Sequence, residues 1–376
     1  YPFNVTIGPA ATALAAGNCL VVKPSELAPE SANVMQRIFD RLDGRAVRCV
    51  QGGAEIASTL VAQPFDHIVY TGGDRVAKLI LAAAAPNMTP VTLELGGKSP
   101  SVVLPGANIP QAARRMLAWK CFNAGQICTS PDYALVHKDV EPELVAECQK
   151  ALKEFYGADA KESPSFGRII SQNHFRRIKE LISTSGGEIL PQQGQMDEAS
   201  KFIPPTLVRG PRLDSPLMQE EIFGPVLPII KFDSLDAIVE HINANEKPLA
   251  MYLFGHEAQA DEIISRTSSG AVCVNDTMFQ MANPELPFGG VGGSGMGRYH
   301  GKWGFDEFSH VRAIMYRKTW IDLAARYPPY TDGNMKLFER LMVGPLVPVA
   351  LVKAFMAIGG AAVAGRAAVY VAQSRL

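Results

Sequence analysis

The stretch HIVYTGGDRVAKLILAAAAPNMTPVTLELGGKSP, residues 67–100, decides the fold. HIVY is a short apolar run stopped by Thr71-Gly72-Gly73. RVAKLILAAAA carries helical apolar spacing. PVTLEL is a second apolar run, closed by Gly96-Gly97. Strand, helix and strand in this order make a parallel unit, because parallel neighbours need a crossover and a helix supplies it. Ligands of such sheets bind beyond the carboxyl ends of the strands. The loops after Val22, Tyr70 and Leu95 are therefore the places to look for chemistry.

The same rhythm extends in both directions. Upstream, IGPAATALAAG reads as a helix ending at Gly17, CLVV as a strand stopped by Lys23-Pro24, APESANVMQRIFDRL as a helix, and AVRCV as a strand before GGAEIASTLV. One parallel sheet is expected over the first 95 or so residues. Downstream, SVVL, YALVH and VLPIIKF read as strands, and IPQAARRMLAWKCFNA and ELVAECQKALKEFYG as helices. The span 186–210 reads as a long hairpin-like excursion. This is a second α/β domain, and 376 residues are more than one core usually holds.

A net charge of -1 gives no basic face for a nucleic acid. Six cysteines without a C-x-x-C pair, and no H-E-x-x-H, argue against a metal site and suit a reducing compartment. No secretory signal follows Tyr1. Residues 331–376 change character. From Val343 to Gly365 the only charge is Lys353. Two readings stand open: an arm packed on a partner subunit, or a membrane-associated tail. In the second, a central lysine costs ~2.5–3.5 kcal/mol unless it snorkels.

Two glycine patterns mislead. Gly290, Gly292 and Gly295 fall on G-x-G-x-x-G spacing, but Pro284 and Pro287 precede them and no long helical pattern follows. They read as a glycine-rich loop of the second domain. Gly97-Lys98-Ser99 resembles the end of a P-loop, but Thr92 stands where its first glycine belongs. Better candidates follow the early strands. Lys23 with Glu26 is suited to a ribose. Gly72-Gly73 opens a helix whose free N–H groups favour a phosphate. Glu94 is a carboxylate ending an apolar strand, where desolvation raises its pKa toward that of a general base. Cys128, in FNAGQICTSPDYALV, sits in a polar turn able to present a thiolate, whereas the other cysteines read as buried small hydrophobes.

VTLELGGKSP, NAGQICTSPDYALV, QEEIFGPVLPI and LPFGGVGGSGMGRYHG, in this order, resemble the aldehyde dehydrogenase superfamily. MQEEIFGP, EKPLAMYLF and GMGRYHGKWGFDEFSH are similar to its class 3 branch of fatty, aromatic and coniferyl aldehyde dehydrogenases. The resemblance runs from Tyr1 to about Tyr330. It implies an α/β aldehyde dehydrogenase-like fold: an incomplete, parallel Rossmann-type cofactor domain at 1–97, an α/β catalytic domain at 98–300, a return segment at 301–330 and an apolar tail at 331–376. It implies Cys128 as nucleophile and Glu94 as general base. It gives the cofactor Lys23 and Glu26 for the ribose, Gly72 and Gly73 over the pyrophosphate, Val76 beside them, and Glu221 and Phe223 at the nicotinamide. Many relatives carry serine where Gly73 stands.

The implied cofactor is NAD, with NADP as a second acceptor, and no metal. The implied substrate is an apolar aldehyde, aromatic or medium- to long-chain. The product is an acid formed through a thiohemiacetal and a thioester on Cys128. The family's second oxyanion donor is an asparagine before the YPF segment, so the chain is expected to be a piece of a longer, cytoplasmic, homodimeric enzyme. Two alternatives remain: a coenzyme A-acylating relative, and an inactive truncated copy.

Overall fold

The computed structural model describes residues 1–342. The reading of residues 343–365 as a tail lies outside the described residues. Among these, no helix is long and apolar enough to cross a membrane.

The elements follow the sequence rhythm closely. The first hundred residues run α1 (Asn4–Ala15), β1 (Leu20–Val22), α2 (Pro29–Phe39), β2 (Val47–Cys49), α3 (Ala54–Val61), β3 (Ile68–Thr71), α4 (Asp74–Ala84) and β4 (Val91–Glu94). Next come β5 (Pro100–Val103), α5 (Ile109–Cys121), β6 (Tyr133–His137), α6 (Glu141–Tyr156), α7 (Gln172–Ser183), β7 (Glu188–Ile189) and β8 (Thr206–Arg209). The unit closes with α8 (Pro216–Gln219), β9 (Val226–Phe232), α9 (Leu235–Ala244), β10 (Ala250–Phe254), α10 (Glu257–Arg266), β11 (Ala271–Val274), α11 (Phe279–Ala282), β12 (Gly295–Met296) and α12 (Gly301–Glu307).

The larger sheet has seven strands in the order β11-β10-β5-β6-β9-β8-β7. All neighbours are parallel except β7 and β8, which form the expected antiparallel excursion. Its central strands β5 and β10 are buried along their whole length. Strands covered on both faces read as continuous apolar runs, which is why SVVL and AMYLF lack alternation. One face packs on α5, α6 and α7 through Met116, Leu144, Leu152 and Phe175. The other packs on α9 and α10 through Ile238, Ile242 and Ile263. Asn108 starts α5 by accepting the Gln111 N–H, and Ser234 starts α9 in the same way.

Two expectations need correction. The single sheet foreseen for the first residues is two hydrogen-bonded pieces: β1 with β2, and β3 with β4 and β12. Val21 and Val69 stay 43% and 38% exposed, because each strand is packed on one face only. The second correction concerns PFGGVGGSGMGRYHG. It is more than a loop of the second domain, because Gly295 and Met296 pair antiparallel with Glu94 and Leu93. The Ser294 carbonyl also accepts the Leu95 N–H at 3.1 Å. Gly295 has φ +138°, and a Cβ there would lie 2.1 Å from the Leu93 carbonyl oxygen. Only glycine brings two backbones this close.

Residues 1–309 form one compact unit. Within it, α12 returns to α1: Asn18 Nδ2 donates to the Phe308 carbonyl at 2.9 Å, and Gly304 leaves room for Thr12. A second unit begins at His310 and contains α13 (Asp332–Met342).

Substituting Gly295→Ala forces β12 off β4. The expected result is a loss of about 2 kcal/mol or more of stability, seen in denaturant titration, with faster hydrogen exchange at the Leu95 amide. Unchanged exchange there contradicts the pairing.

Candidate functional site

Cys128 lies in the turn between α5 and β6. Asn123 and Ala124 have φ near +50°, and Gly125 has φ +73°. Two left-handed non-glycine residues in a row are costly and persist only where surroundings hold them. Here Gln126 does so. Its side chain donates to the carbonyls of Asn123 (2.9 Å) and Arg168 (3.0 Å), and it accepts the Ile170 N–H (2.9 Å). A Cβ on Gly125 would stand 2.2 Å from the Gly224 carbonyl, so the turn is pressed against the segment holding Glu221 and Phe223. Phe223 itself has φ +48°.

Glu94 ends β4 and is 1% exposed. Among the described residues, neither carboxyl oxygen has a hydrogen-bond partner. Burial pushes its pKa up to about 9, and the negative charge of Glu307 adds to the rise. Glu221 is pushed up to about 8 by burial first and by Asp132 second. Its carboxylate occupies the space a Cβ on Gly96 would fill, 2.3 Å away. The Cys128 thiol is pushed up to about 12, by burial first, then by Glu221 and Glu94. The backbone N–H groups of Thr129 and Cys128 pull the other way. The structure thus brings Glu94 and Glu221 each within electrostatic reach of Cys128.

A buried ion pair supports this cluster. Lys98 Nζ donates to Asp132 Oδ2 and to the carbonyls of Leu217 (2.9 Å) and Glu220 (2.8 Å). The other Asp132 oxygen accepts the Ile222 N–H at 2.9 Å. Lys120 is 1% exposed, and burial lowers its pKa to about 8. The sequence reading assigned no role to Asp132, Gln126 or Lys120. The partners that tie Asp132 and Gln126 to distant segments, Lys98, Ile222, Arg168 and Ile170, lie tens of residues away, so no local spacing marks them.

The expected cofactor residues fall elsewhere. Lys23 and Glu26 form a 3.2 Å pair at the carboxyl end of β1, with Glu26 half exposed. The Glu26 carboxyl is held below its usual range by its own N–H. Burial opposes this, and Lys23 adds to it. Gly72, Gly73 and Val76 stand at the start of α4. A Cβ on Gly73 would meet nothing within 4 Å, and the Tyr70 hydroxyl fills the space beside Gly72. Val76 is 38% exposed. An open backbone at the N-terminus of an 11-residue helix fits a phosphate group.

Aromatic rings surround the turn that holds Cys128. Trp119 lies 5.2 Å from Phe122 and 6.1 Å from Phe279, and Tyr1 stacks on Phe122 at 6.4 Å, centroid to centroid. Phe122 and Phe279 are both more than half exposed. The Thr129 hydroxyl lies 3.1 Å from the sulfurs of both Met278 and Met281.

The family model for the aldehyde dehydrogenase family matches residues 1–314. The chain belongs to the aldehyde dehydrogenase family. It is 44% identical over 346 residues to aldehyde dehydrogenase family 3 member B1 of Bos taurus, covering 91% of this chain and 73% of that one. It is 44% identical over 333 residues to the dimeric NADP-preferring aldehyde dehydrogenase of Rattus norvegicus, covering 88% and 73%. The structure of the substrate-bound state of Staphylococcus aureus AldH matches with a TM-score of 0.87 at 42% identity, over 91% of this chain and 74% of that one. This aldehyde dehydrogenase is of the class 3-like branch. It is an NAD(P)-dependent enzyme that oxidises aldehydes.

Raised carboxyl pKa values make alkaline pH destabilising. The contribution of neutral Glu94 is fully present below its ordinary 4.5 and is lost as pH rises through about 9. Glu221 has the same sign through about 8. In this aldehyde dehydrogenase, Glu94→Gln is therefore expected to flatten the fall of Tm between about pH 4.5 and 9. A fall as steep as in the parent contradicts the buried, neutral carboxyl.

Proposed function

We propose that this enzyme oxidises an apolar aldehyde to the carboxylic acid through a thioester on Cys128. The observation that carries the reading is the Glu94 carboxyl, buried with both oxygens unpartnered, beside a cysteine in a turn ringed by aromatics. A carboxyl in that state is costly as packing, and it suits a group that must take a proton from water.

In this reading the Cys128 thiol gives its proton to water and its sulfur adds to the aldehyde carbon, with the C=O π pair moving onto the oxygen. The tetrahedral oxygen that forms meets the backbone N–H of Cys128. When bound, NAD(P)+ supplies the hydride acceptor. Loss of hydride leaves a thioester, and Glu94 takes a proton from the water that cleaves it. Glu94 must first lose its own proton, so hydrolysis gains speed as pH rises toward about 9. Lys23 and Glu26 hold the adenosine ribose. Gly72, Gly73 and Val76 leave the α4 N-terminus open to the pyrophosphate, and Glu221 and Phe223 flank the nicotinamide. Residues 1–97 then serve as cofactor domain, 98–300 as catalytic domain, and 301–330 as the return between them.

The exposed rings of Phe122 and Phe279, with the half-buried Trp119 between them, favour an aromatic or medium- to long-chain substrate. Each buries 150–250 Å² when covered, so an apolar chain gains contact there that a small polar aldehyde does not. A cytoplasmic homodimer is the assembly that this reading adopts. The dimeric NADP-preferring relative supports it.

Cys128→Ala is expected to abolish aldehyde-dependent NADH formation, and retained turnover contradicts the nucleophile. Glu94→Gln keeps a first burst of NADH but loses steady turnover by 10²-fold or more, on the order of a missing general base. Acid released without coenzyme A separates hydrolysis from acyl transfer to that thiol. Glu26→Gln is expected to raise NADP+ efficiency relative to NAD+ several-fold, because an acidic side chain at the ribose repels a 2′-phosphate. An unchanged ratio removes Glu26 from cofactor choice.

A further inference from the structure

The general base has a second carboxylate as neighbour, contributed from the far end of the compact unit. Glu307 ends α12, 213 residues after Glu94 in the chain. Its Oε1 accepts the Thr92 hydroxyl at 2.9 Å. Thr92 and Glu94 are alternate residues of β4, so they share one face about 7 Å apart along the strand. Both are essentially inaccessible, at 0% and 1% exposed. The Thr92 oxygen also lies 2.7 Å from His67 Nε2 on the approach to β3. Because the hydroxyl proton is given to Glu307, Nε2 must be the donor here. The chain of bonds thus runs from imidazole to hydroxyl to carboxylate.

The protein makes room for this carboxylate at a cost. A Cβ on Gly297, which has φ +77°, would stand 2.3 Å from Glu307 Oε1 and 2.9 Å from Thr92 Oγ1. A negative side chain in the last turn of a helix also opposes the helix dipole, so α12 itself gains nothing from it. Glu307 further lines a cavity of about 410 Å³ with Gly297 and Arg298. Glu307 therefore has a donor and a cavity beside it, while Glu94 is buried and, among the described residues, has no donor.

The other ionisable groups around β4 do not duplicate this charge. On β3 and its approach stand Tyr70 and His67. On α4, Arg75 is exposed, and Asp74 is paired with Lys78. After β12, Arg298 lies over the Trp303 ring, while Tyr299 and His300 lie against Phe288. On α12, Lys302 and Asp306 pair with each other on the surface. Across the site lies Cys128. Glu307 is the one charge among these that acts on Glu94.

We propose that Glu307 is a positioning residue for hydrolysis: its fixed negative charge, held by Thr92 and admitted by Gly297, opposes ionisation of Glu94 and so sets the pH window in which water is activated. The proposal rests on the reading of Glu94 as the water-activating group.

The test is acyl-enzyme hydrolysis in single turnover, after the NADH burst, across about pH 6 to 10. Glu307→Gln keeps the shape and removes the charge. The rising limb of hydrolysis is expected to move about one unit to lower pH, which is tenfold at a fixed pH on that limb. Thr92→Val releases the carboxylate and moves the limb the same way by less. A profile that drops in height without moving makes Glu307 a structural filler and overturns the proposal. Glu94→Gln is the control for the reading beneath it. If the limb survives in that variant, Glu94 is not the base, and that failure is separate from the outcome for Glu307. Should Glu307→Gln not fold, infrared titration of the carboxylic acid band lost in Glu94→Gln, compared in the parent and Thr92→Val, reads the same shift without turnover. An unmoved band again overturns the proposal.

Discussion

Five residues, Leu95 to Ser99, join the end of β4 to the start of β5. A chain of that length spans at most ~3.6 Å per residue, so the carboxyl end of one sheet must abut the amino end of the other. The rest of the site depends on that tether. The Asp132 N–H donates to the Ser99 carbonyl at 2.8 Å, which seats the start of β6 against the link. Lys98, inside the link, closes on Asp132. Breaking such a pair leaves a buried charge uncompensated, so the link and the cysteine turn move as one piece. Glu94 and Cys128, from different sheets, are brought to the same place by it.

The electrostatics of the site follow from that crowding. Glu94, Glu221 and the Cys128 thiol share a small, poorly hydrated volume, and each favours its protonated form over the charged one. Burial favours the neutral form of all three groups. In the proposed mechanism, forming a thiolate on Cys128 needs a positive neighbour or a step that relieves this burial. The backbone N–H groups of Cys128 and Thr129 offer part of that relief. Glu307 works in the opposite direction on Glu94, and its charge also opposes the lowering of the His67 pKa by burial.

Much of the architecture was readable because parallel strands buried on both faces are plain apolar runs. SVVL, YALVH and VLPIIKF became β5, β6 and β9 with boundaries shifted by at most a residue. The glycine stretch PFGGVGGSGMGRYHG was harder. Its prolines and lack of a following helix excluded a dinucleotide cradle, but nothing local shows that Gly295 and Met296 will complete a sheet with β4. That pairing is a contact across 200 residues, and a two-residue strand carries no periodicity. The division of the first sheet into two pieces was equally invisible, since CLVV and HIVY look alike whether or not they pair. Glu94 stands at the carboxyl end of β4, where the rule that places ligands at carboxyl ends directs attention. Cys128 instead lies before the amino end of β6, where the turn between α5 and that strand carries it.

By itself, the sequence determined the α/β class, the order of strands and helices, the family, and the residue types able to attack, take a proton or face a phosphate. These are properties of local pattern and of ordered motifs. Tertiary structure alone decided which of those groups meet and in what protonation state. A pKa depends on burial and on charges across space, and Glu94 owes its state to a sealed pocket and to Glu307. That carboxylate stands beside it only because a hydroxyl on β4 and a glycine after β12 leave it a place.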